Sequence, residues 1–209
     1  MSKDIEQFFQ DEFNVSRETM DHLHQYEALL CKWNPVINLV SKSTLNDIWR
    51  RHFLDSAQIF HLFPEQAGVW LDLGSGGGFP ALVLAILAKD QSKDIRFVLV
   101  ESDTRKSVFL RTVIQELGLN AKVIAERIES LADLQADVLS ARALAPLDKL
   151  LEYAEKHLKP EGITVFPKGD KYRQEIAEAK VKWRFDLTEI PSKINPNGAI
   201  LKIGGISRV

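Results

Sequence analysis

One cysteine, Cys31, stands among 209 residues. A lone thiol closes no internal disulfide and supplies no Cys-rich zinc site; on a helical stretch it reads as a packing residue. Long apolar runs are missing as well. The longest, Ala81 to Ala88, is eight residues, against the ~20 a helix needs to cross a bilayer. The segment Met1-Ser-Lys-Asp-Ile-Glu-Gln-Phe8 lacks the basic stretch, apolar core and small-residue cleavage site of a secretory signal. A cytoplasmic protein with no membrane partner is expected. The five histidines, at 22, 24, 52, 61 and 157, make no His-Glu-x-x-His and no carboxylate-rich cluster, so no metal is expected. Neither sign of charge dominates: 27 Lys and Arg face 29 Asp and Glu, a formal net charge of −2. A nucleic-acid partner would have to be held by a local patch. The charge is uneven, with two basic and seven acidic side chains in residues 1–30 against nine and five in residues 168–209.

What is present is the composition of a globular domain, 45% hydrophobic and 27% charged, long enough for a full core. From Ser16, a candidate N-cap, Met20, Leu23, Leu29, Leu30 and Trp33 follow helical spacing up to Pro35, which closes the segment. A second helix is predicted over 46–60. The first 67 residues therefore read as a helical extension packed on the same domain as residues 68–209. After residue 68, short apolar runs at 69–73, 96–101, 121–125, 137–140 and 162–166 alternate with helix-compatible stretches at 80–88, 104–117, 147–158 and 170–181. Such alternation implies an α/β, Rossmann-like fold with a mostly parallel sheet covered on both faces. Residues 184–190 and 199–203 flank the turn-rich Pro191-Ser-Lys-Ile-Asn-Pro-Asn-Gly198 and look like two antiparallel closing strands, making seven in all.

The strongest local signal is Val69-Trp-Leu-Asp-Leu-Gly-Ser-Gly-Gly-Gly-Phe-Pro80, a strand running into a glycine-rich turn and a helix. Glycines there admit positive φ and let a ligand approach the backbone, and ligands of open α/β sheets sit at the strands' carboxyl ends. A dinucleotide fingerprint asks for a third small residue where Phe79 stands. The spacing that fits is Asp72-x-Gly74-x-Gly76-x-Gly78, with Ser75 between the first two glycines. It resembles the first motif of class I S-adenosylmethionine (AdoMet) methyltransferases, a resemblance that places Asp72 at the amino-acid end of the cofactor, through water. Glu101 ends the second strand where an acid accepts from the ribose hydroxyls of an adenosine cofactor; that geometry serves NAD and AdoMet equally.

Some chemistry is disfavoured. Pyrimidine-C5 methylation needs a cysteine nucleophile, and Cys31 lies ahead of the cofactor strand. Adenine amino-methyltransferases carry Asp or Asn-Pro-Pro-Tyr or Phe after strand four, where this chain reads Ser140-Ala-Arg-Ala-Leu-Ala-Pro146. A nucleophile that needs no deprotonation, such as guanine N7, suits a site without a dedicated base, leaving positioning as the source of rate.

Five segments carry a more specific resemblance: Lys32-Trp-Asn-Pro-Val-Ile-Asn-Leu39, Arg51-His-Phe-Leu-Asp-Ser56, Asp72 to Pro80, Arg142-Ala-Leu-Ala-Pro-Leu147 and Pro167-Lys-Gly169. With them the chain resembles, over nearly its whole length, the small-subunit ribosomal RNA methyltransferase G family, also called glucose-inhibited division protein B. The resemblance implies AdoMet-dependent methylation of guanine N7 in 16S rRNA of the small ribosomal subunit, with S-adenosyl-L-homocysteine as product. It implies that Gly74 and Phe79 line the cofactor path, that Ile128 and Glu129 contact the adenine, and that Arg142 sits at the cofactor and target-base pocket. Without the family, Ile128 reads as core and Arg142 as a salt-bridged surface residue. Ala141 and Ala81 depart from the family's common hydroxyl residue and glycine, which touches the shape of the pocket only. Candidate RNA contacts are Asn38, Arg51, His52, Lys106 and Lys168, the last four from basic runs that also include Arg50, Arg105, Arg111, Lys171 and Arg173. Asn38 either holds backbone near the pocket or caps a turn. A monomer is expected. The alternatives are an NAD-dependent oxidoreductase, disfavoured by Phe79 and by the lack of a Tyr-x-x-x-Lys pair, and a non-catalytic ribosome-assembly factor, disfavoured by the intact Asp72, glycine loop and Glu101.

Overall fold

A computed structural model describes residues 2–62 and 68–209; the expected boundary at residue 67 lies outside the described residues. The seven strands are β1 (Val69–Leu73), β2 (Arg96–Val100), β3 (Ala121–Ile124), β4 (Ala136–Ala141), β5 (Leu158–Lys168), β6 (Trp183–Pro191) and β7 (Ala199–Arg208). They form one sheet in the order β3-β2-β1-β4-β5-β7-β6. The first five run parallel, and β7 lies antiparallel between β5 and β6. The chain leaves β1 in one direction to make β2 and β3 and returns on the other side for β4. The ends of β1 and β4 therefore flank the point where strand order reverses, where such sheets bind ligands.

Period-two alternation divides the core in two. Trp70, Phe97, Leu99, Val138 and Val165 face a cluster built with the N-terminal helices, α4 (Ala81–Asp90) and α5 (Thr104–Leu117). Leu71, Leu73, Val98, Val100 and Leu139 face a second cluster with α6 (Leu147–His157) and α7 (Tyr172–Ala179). Ala81 to Ala88 are all buried, which accounts for a helix that is apolar all round. Phe9, Leu23, Tyr26 and Phe53 share the first cluster with Leu82, Phe109 and Trp70.

The N-terminal region departs from its periodicity in three places. An additional helix, α1 (Ser2–Phe13), buries Phe9 and Phe13; its polar sequence hides so short an apolar face. α2 (Arg17–Ile37) starts at Ser16, whose Oγ accepts from Thr19 N–H (3.1 Å), but it runs through Pro35. In the last turn a proline deletes only one helical hydrogen bond, and the stop comes at Asn38, left-handed at φ 50° and ψ 64°. Cys31 is exposed rather than packed. The helix expected over 46–60 is a broken one: a 3-10 stretch over Lys42–Asp47, a π-helical turn over Trp49–Leu54, α3 (Asp55–Ala57) and a 3-10 turn over Phe60–Leu62. Burying His52, Phe53 and Leu54 in succession needs a stripe wider than an α-helix offers, and π turns recur at functional sites.

Candidate active site

A cavity of about 690 Å³ opens at the carboxyl ends of β1, β4 and β5. Its floor is the loop after β1. Ser75 N–H donates to the Val100 carbonyl oxygen (3.1 Å) and Gly78 N–H to that of Ser75 (2.7 Å), which folds the loop back over the ends of β1 and β2. Gly74 and Gly76 take positive φ, 66° and 54°. At Gly78, with φ 95°, a Cβ would lie 2.4 Å from Leu82 Cδ1 and 2.7 Å from the Tyr26 hydroxyl. Glycine is required there by packing rather than by a ligand. The Tyr26 hydroxyl donates to the Gly77 carbonyl oxygen (2.5 Å) and the ring stacks on Phe79 at 5.3 Å, so α2 braces the loop from behind.

Two acids lie beneath. Asp72 is 1% exposed. Its Oδ1 accepts from Ser140 Oγ (2.6 Å), which itself accepts from Trp70 Nε1 (2.8 Å), while Oδ2 has no partner among the described residues. Burial pushes its carboxyl up to about 7, against the pull of the Ser140 hydrogen bond. Glu101 follows β2 and accepts from Gly76 N–H (2.9 Å) and Asp103 N–H (2.8 Å). It is thereby tied to the glycine loop as an acceptor.

Over the cavity stands Arg142, at the end of β4. It pairs with Asp55 (3.1 Å), donates to His52 Nδ1 (2.9 Å) and the Arg51 carbonyl oxygen (3.3 Å), and lies over the Phe79 ring at 5.0 Å. His52 stacks on the same ring at 4.9 Å. Burial, with the Arg142 and Arg51 charges beside it, pushes His52 down to about 3, so the ring is neutral. Leu144 covers Gly74, close enough that a Cβ there would lie 2.6 Å from Leu144 Cδ1. Lys168, its side chain 9% exposed, pairs with Glu175 (2.5 Å) and donates to the Ala145 carbonyl oxygen (3.0 Å). Glu175 also accepts from Leu147 N–H (2.8 Å). This pair anchors the loop after β4.

Of the residues singled out from sequence, Gly74, Ser75, Gly76, Phe79, Arg142, Arg51, His52 and Lys168 line this one cavity. Asp72, Gly78 and Glu101 support it from below. Ile128 is core and Glu129 exposed, in a 3-10 turn after β3 where the Glu129 carboxylate accepts from the Tyr153 hydroxyl; neither lines the cavity. Asn38 caps α2, and Lys106 sits in the first turn of α5, away from the cavity. Sequence reasoning passed over Tyr26, Asn34, Thr44, Asp55, Ser140 and Glu175. Asn34 and Asp55 lie inside the quoted motifs. Asn34 Oδ1 accepts from Val40 N–H (2.8 Å), turning the chain after α2 toward the cavity.

A family model for rRNA small subunit methyltransferase G matches residues 19–198. The chain belongs to this family. The "Ribosomal RNA small subunit methyltransferase G" of Ruegeria sp. (strain TM1040) is 50% identical over 198 residues, covering 95% of this chain and 96% of that protein. The relative of the same name from Rhodospirillum centenum is 51% identical over 199 residues, 95% of this chain and 90% of its own. Among solved structures, the SAH-bound methyltransferase PaMTH1 of Podospora anserina matches with a TM-score of 0.58 at 14% identity, over 91% of this chain and 88% of that one. This likeness gives the fold, that of class I AdoMet-dependent methyltransferases. The family leaves the oxidoreductase and the non-catalytic factor without support.

Proposed function

We propose that the chain methylates N7 of one guanine in 16S rRNA of the small ribosomal subunit, with AdoMet as donor. What carries this reading is membership of the family over residues 19–198, joined to a cavity at the β1/β4 switch point. The residues present fit the donor. Asp72 keeps one buried carboxylate oxygen unpartnered beneath the loop, a position that favours a cationic amino group or a bridging water, and Gly76 leaves the backbone bare above it, beside Gly74 under the Leu144 side chain. In this reading Asp72, Gly74, Ser75, Gly76 and Phe79 hold the amino-acid end of the donor. Gly78 keeps the loop in shape and Arg142 faces both donor and base, while Glu101 for the ribose and Ile128 and Glu129 for the adenine follow β2 and β3, outside the lining of the cavity.

When bound, AdoMet supplies an electrophilic methyl group on a sulfonium. Guanine N7 offers a lone pair and carries no proton, so the chain has no proton to remove. The titratable side chains around the cavity accord with that: Asp55 is paired with Arg142, Glu175 with Lys168, and His52 has both ring nitrogens engaged. The protein's contribution is placement, which converts an encounter between two molecules into a step between held partners.

Arg51, exposed at the rim, and Lys106 and Asn38 further out are the RNA contacts we propose. His52 and Lys168 are engaged within the protein and shape the wall. We also propose that the protein acts as a monomer in the cytoplasm and that residues 1–67 serve as an extension of the same domain. The test is transfer of a labelled methyl from AdoMet to small subunits from cells lacking the activity, followed by nucleoside analysis. Labelled 7-methylguanosine in 16S rRNA is the expected product. Another methylated nucleoside, or none from protein that binds AdoMet, overturns the assignment.

A further inference from the structure

We infer that His52 and Asp55 are positioning residues that clamp Arg142 and keep its guanidinium off the N7 atom that must react; this rests on the reading just given. The clamp comes from one short segment about 90 residues away in sequence. Nη1 donates to Asp55 Oδ2 (3.1 Å) and to the Arg51 carbonyl oxygen (3.3 Å), and Nη2 donates to His52 Nδ1 (2.9 Å). A guanidinium accepts nothing, so His52 Nδ1 is bare and Nε2 carries the ring proton, which it donates to Thr44 Oγ1 (2.8 Å). Thr44 Oγ1 donates onward to the Ser41 carbonyl oxygen (2.8 Å), which ties the relay to backbone. The Phe79 ring lies under both Arg142 and His52. Asp55 and Arg142 are each 18% exposed at the side chain, sheltered enough for the pair to hold its geometry.

The clamp answers a chemical problem. An arginine free to turn reads guanine by laying its fork on O6 and N7. Here that contact would occupy the lone pair needed for attack. With both Nη atoms committed to Asp55, Arg51 and His52, no described residue accepts from Nε. What remains is Nε–H and one Nη2–H, adjacent donors whose direction the clamp fixes: held toward a donor carboxylate or guanine O6 they leave N7 bare, whereas an unclamped guanidinium can turn this same edge onto N7. Loosening the clamp therefore stabilises an unproductive complex, lowering kcat without raising KM for the subunit.

Two substitutions separate the ends of the imidazole. His52→Asn places an oxygen near Nδ1, keeping the bond from Arg142 and losing Thr44; His52→Gln reaches the Nε2 position and keeps only Thr44. In steady-state transfer to small subunits at saturating AdoMet, H52Q and Asp55→Ala are expected to lose about ten- to a hundredfold in kcat, with KM for the subunit unchanged or lower. H52N recovers most of the rate. Equal losses in H52N and H52Q, or a raised KM at unchanged kcat, overturn the inference. A second readout needs no turnover. In side-chain ¹⁵N spectra, with the Arg142 signals assigned by their loss in Arg142→Lys, wild type and H52N should show Nη resonances separated by slow rotation. H52Q and D55A should show them averaged. Averaged signals in wild type overturn the clamp. A fixed Arg142 in a protein that transfers no methyl to the subunit upholds the clamp and refutes the proposed function instead.

Discussion

Asp72 has one carboxylate oxygen bonded to Ser140 and the other to no described residue, in a site that holds its pKa near 7. The unfolded value is about 3.9, so the folded protein binds the extra proton between about pH 4 and pH 7. Stability linked to the neutral acid is complete below that window and drains away as pH rises through it. Asp72→Asn keeps an acceptor for Ser140 and cannot ionise. Its melting temperature should exceed that of wild type near pH 8 and converge with it toward pH 4, as calorimetry across that range will show. AdoMet affinity should move oppositely: wild type binds more tightly as pH rises through about 7, and D72N binds weakly at every pH. A wild type more stable than D72N near pH 8 would mean that a cation meets Asp72 without ligand. Gly78 differs in kind. Its φ of 95° and the Leu82 and Tyr26 atoms within 2.7 Å of a would-be Cβ make Gly78→Ala costly by about 2–4 kcal/mol in urea unfolding, from backbone strain plus overpacking. Both residues stand in the Asp72-x-Gly74-x-Gly76-x-Gly78 spacing, yet one is tuned for charge and the other for packing. The spacing shows where they are, whereas their environments show what they do.

At the scale of elements, α5 spans the expected 104–117, and the parallel strands come within two residues of expectation except β5. That strand begins at Leu158 rather than near 162, with a register shift against β4 between Ala136 and Val138. Period-two and period-3.6 patterns are local properties, readable wherever one face meets a core. The irregular 42–62 segment was not readable, because its π turn is dictated by what His52 and Phe53 must touch. The loop after β4 is another case. Lys168 and Glu175 hold it at Ala145 and Leu147, and Lys168 has little solvent to turn to. Removing one partner leaves a sheltered charge uncompensated, which is worse than removing both. Glu175→Ala should therefore cost about 3 kcal/mol, and the Lys168→Met, Glu175→Leu double variant less than that single one, measured by denaturant unfolding. A double variant less stable than E175A would show the pair to be additive and the loop held by something else.

The whole molecule carries −2, so attraction to RNA depends on where cations are placed, not on their number. Arg51 is exposed at the cavity rim, and it is its backbone carbonyl that Arg142 uses. Arg51→Ala should leave the clamp and AdoMet affinity intact while reducing by about one the slope of log affinity for the small subunit against log salt. An unchanged slope would remove Arg51 from the RNA surface. The sequence by itself determined the alternation that builds a parallel sheet, the glycine turn at its carboxyl edge with Asp72 and Glu101 nearby, and enough family-specific segments to name the reaction class. These are encoded by neighbours a few residues apart. Only the tertiary structure decided that Arg142 is gripped from Arg51, His52 and Asp55, that Lys168 faces Glu175 rather than solvent, and that Tyr26 braces the glycine loop. Each of those side chains had a local pattern compatible with an exposed or a packed role. Burial and the geometry of a distant partner chose between them, and neither is a property of the nearby sequence.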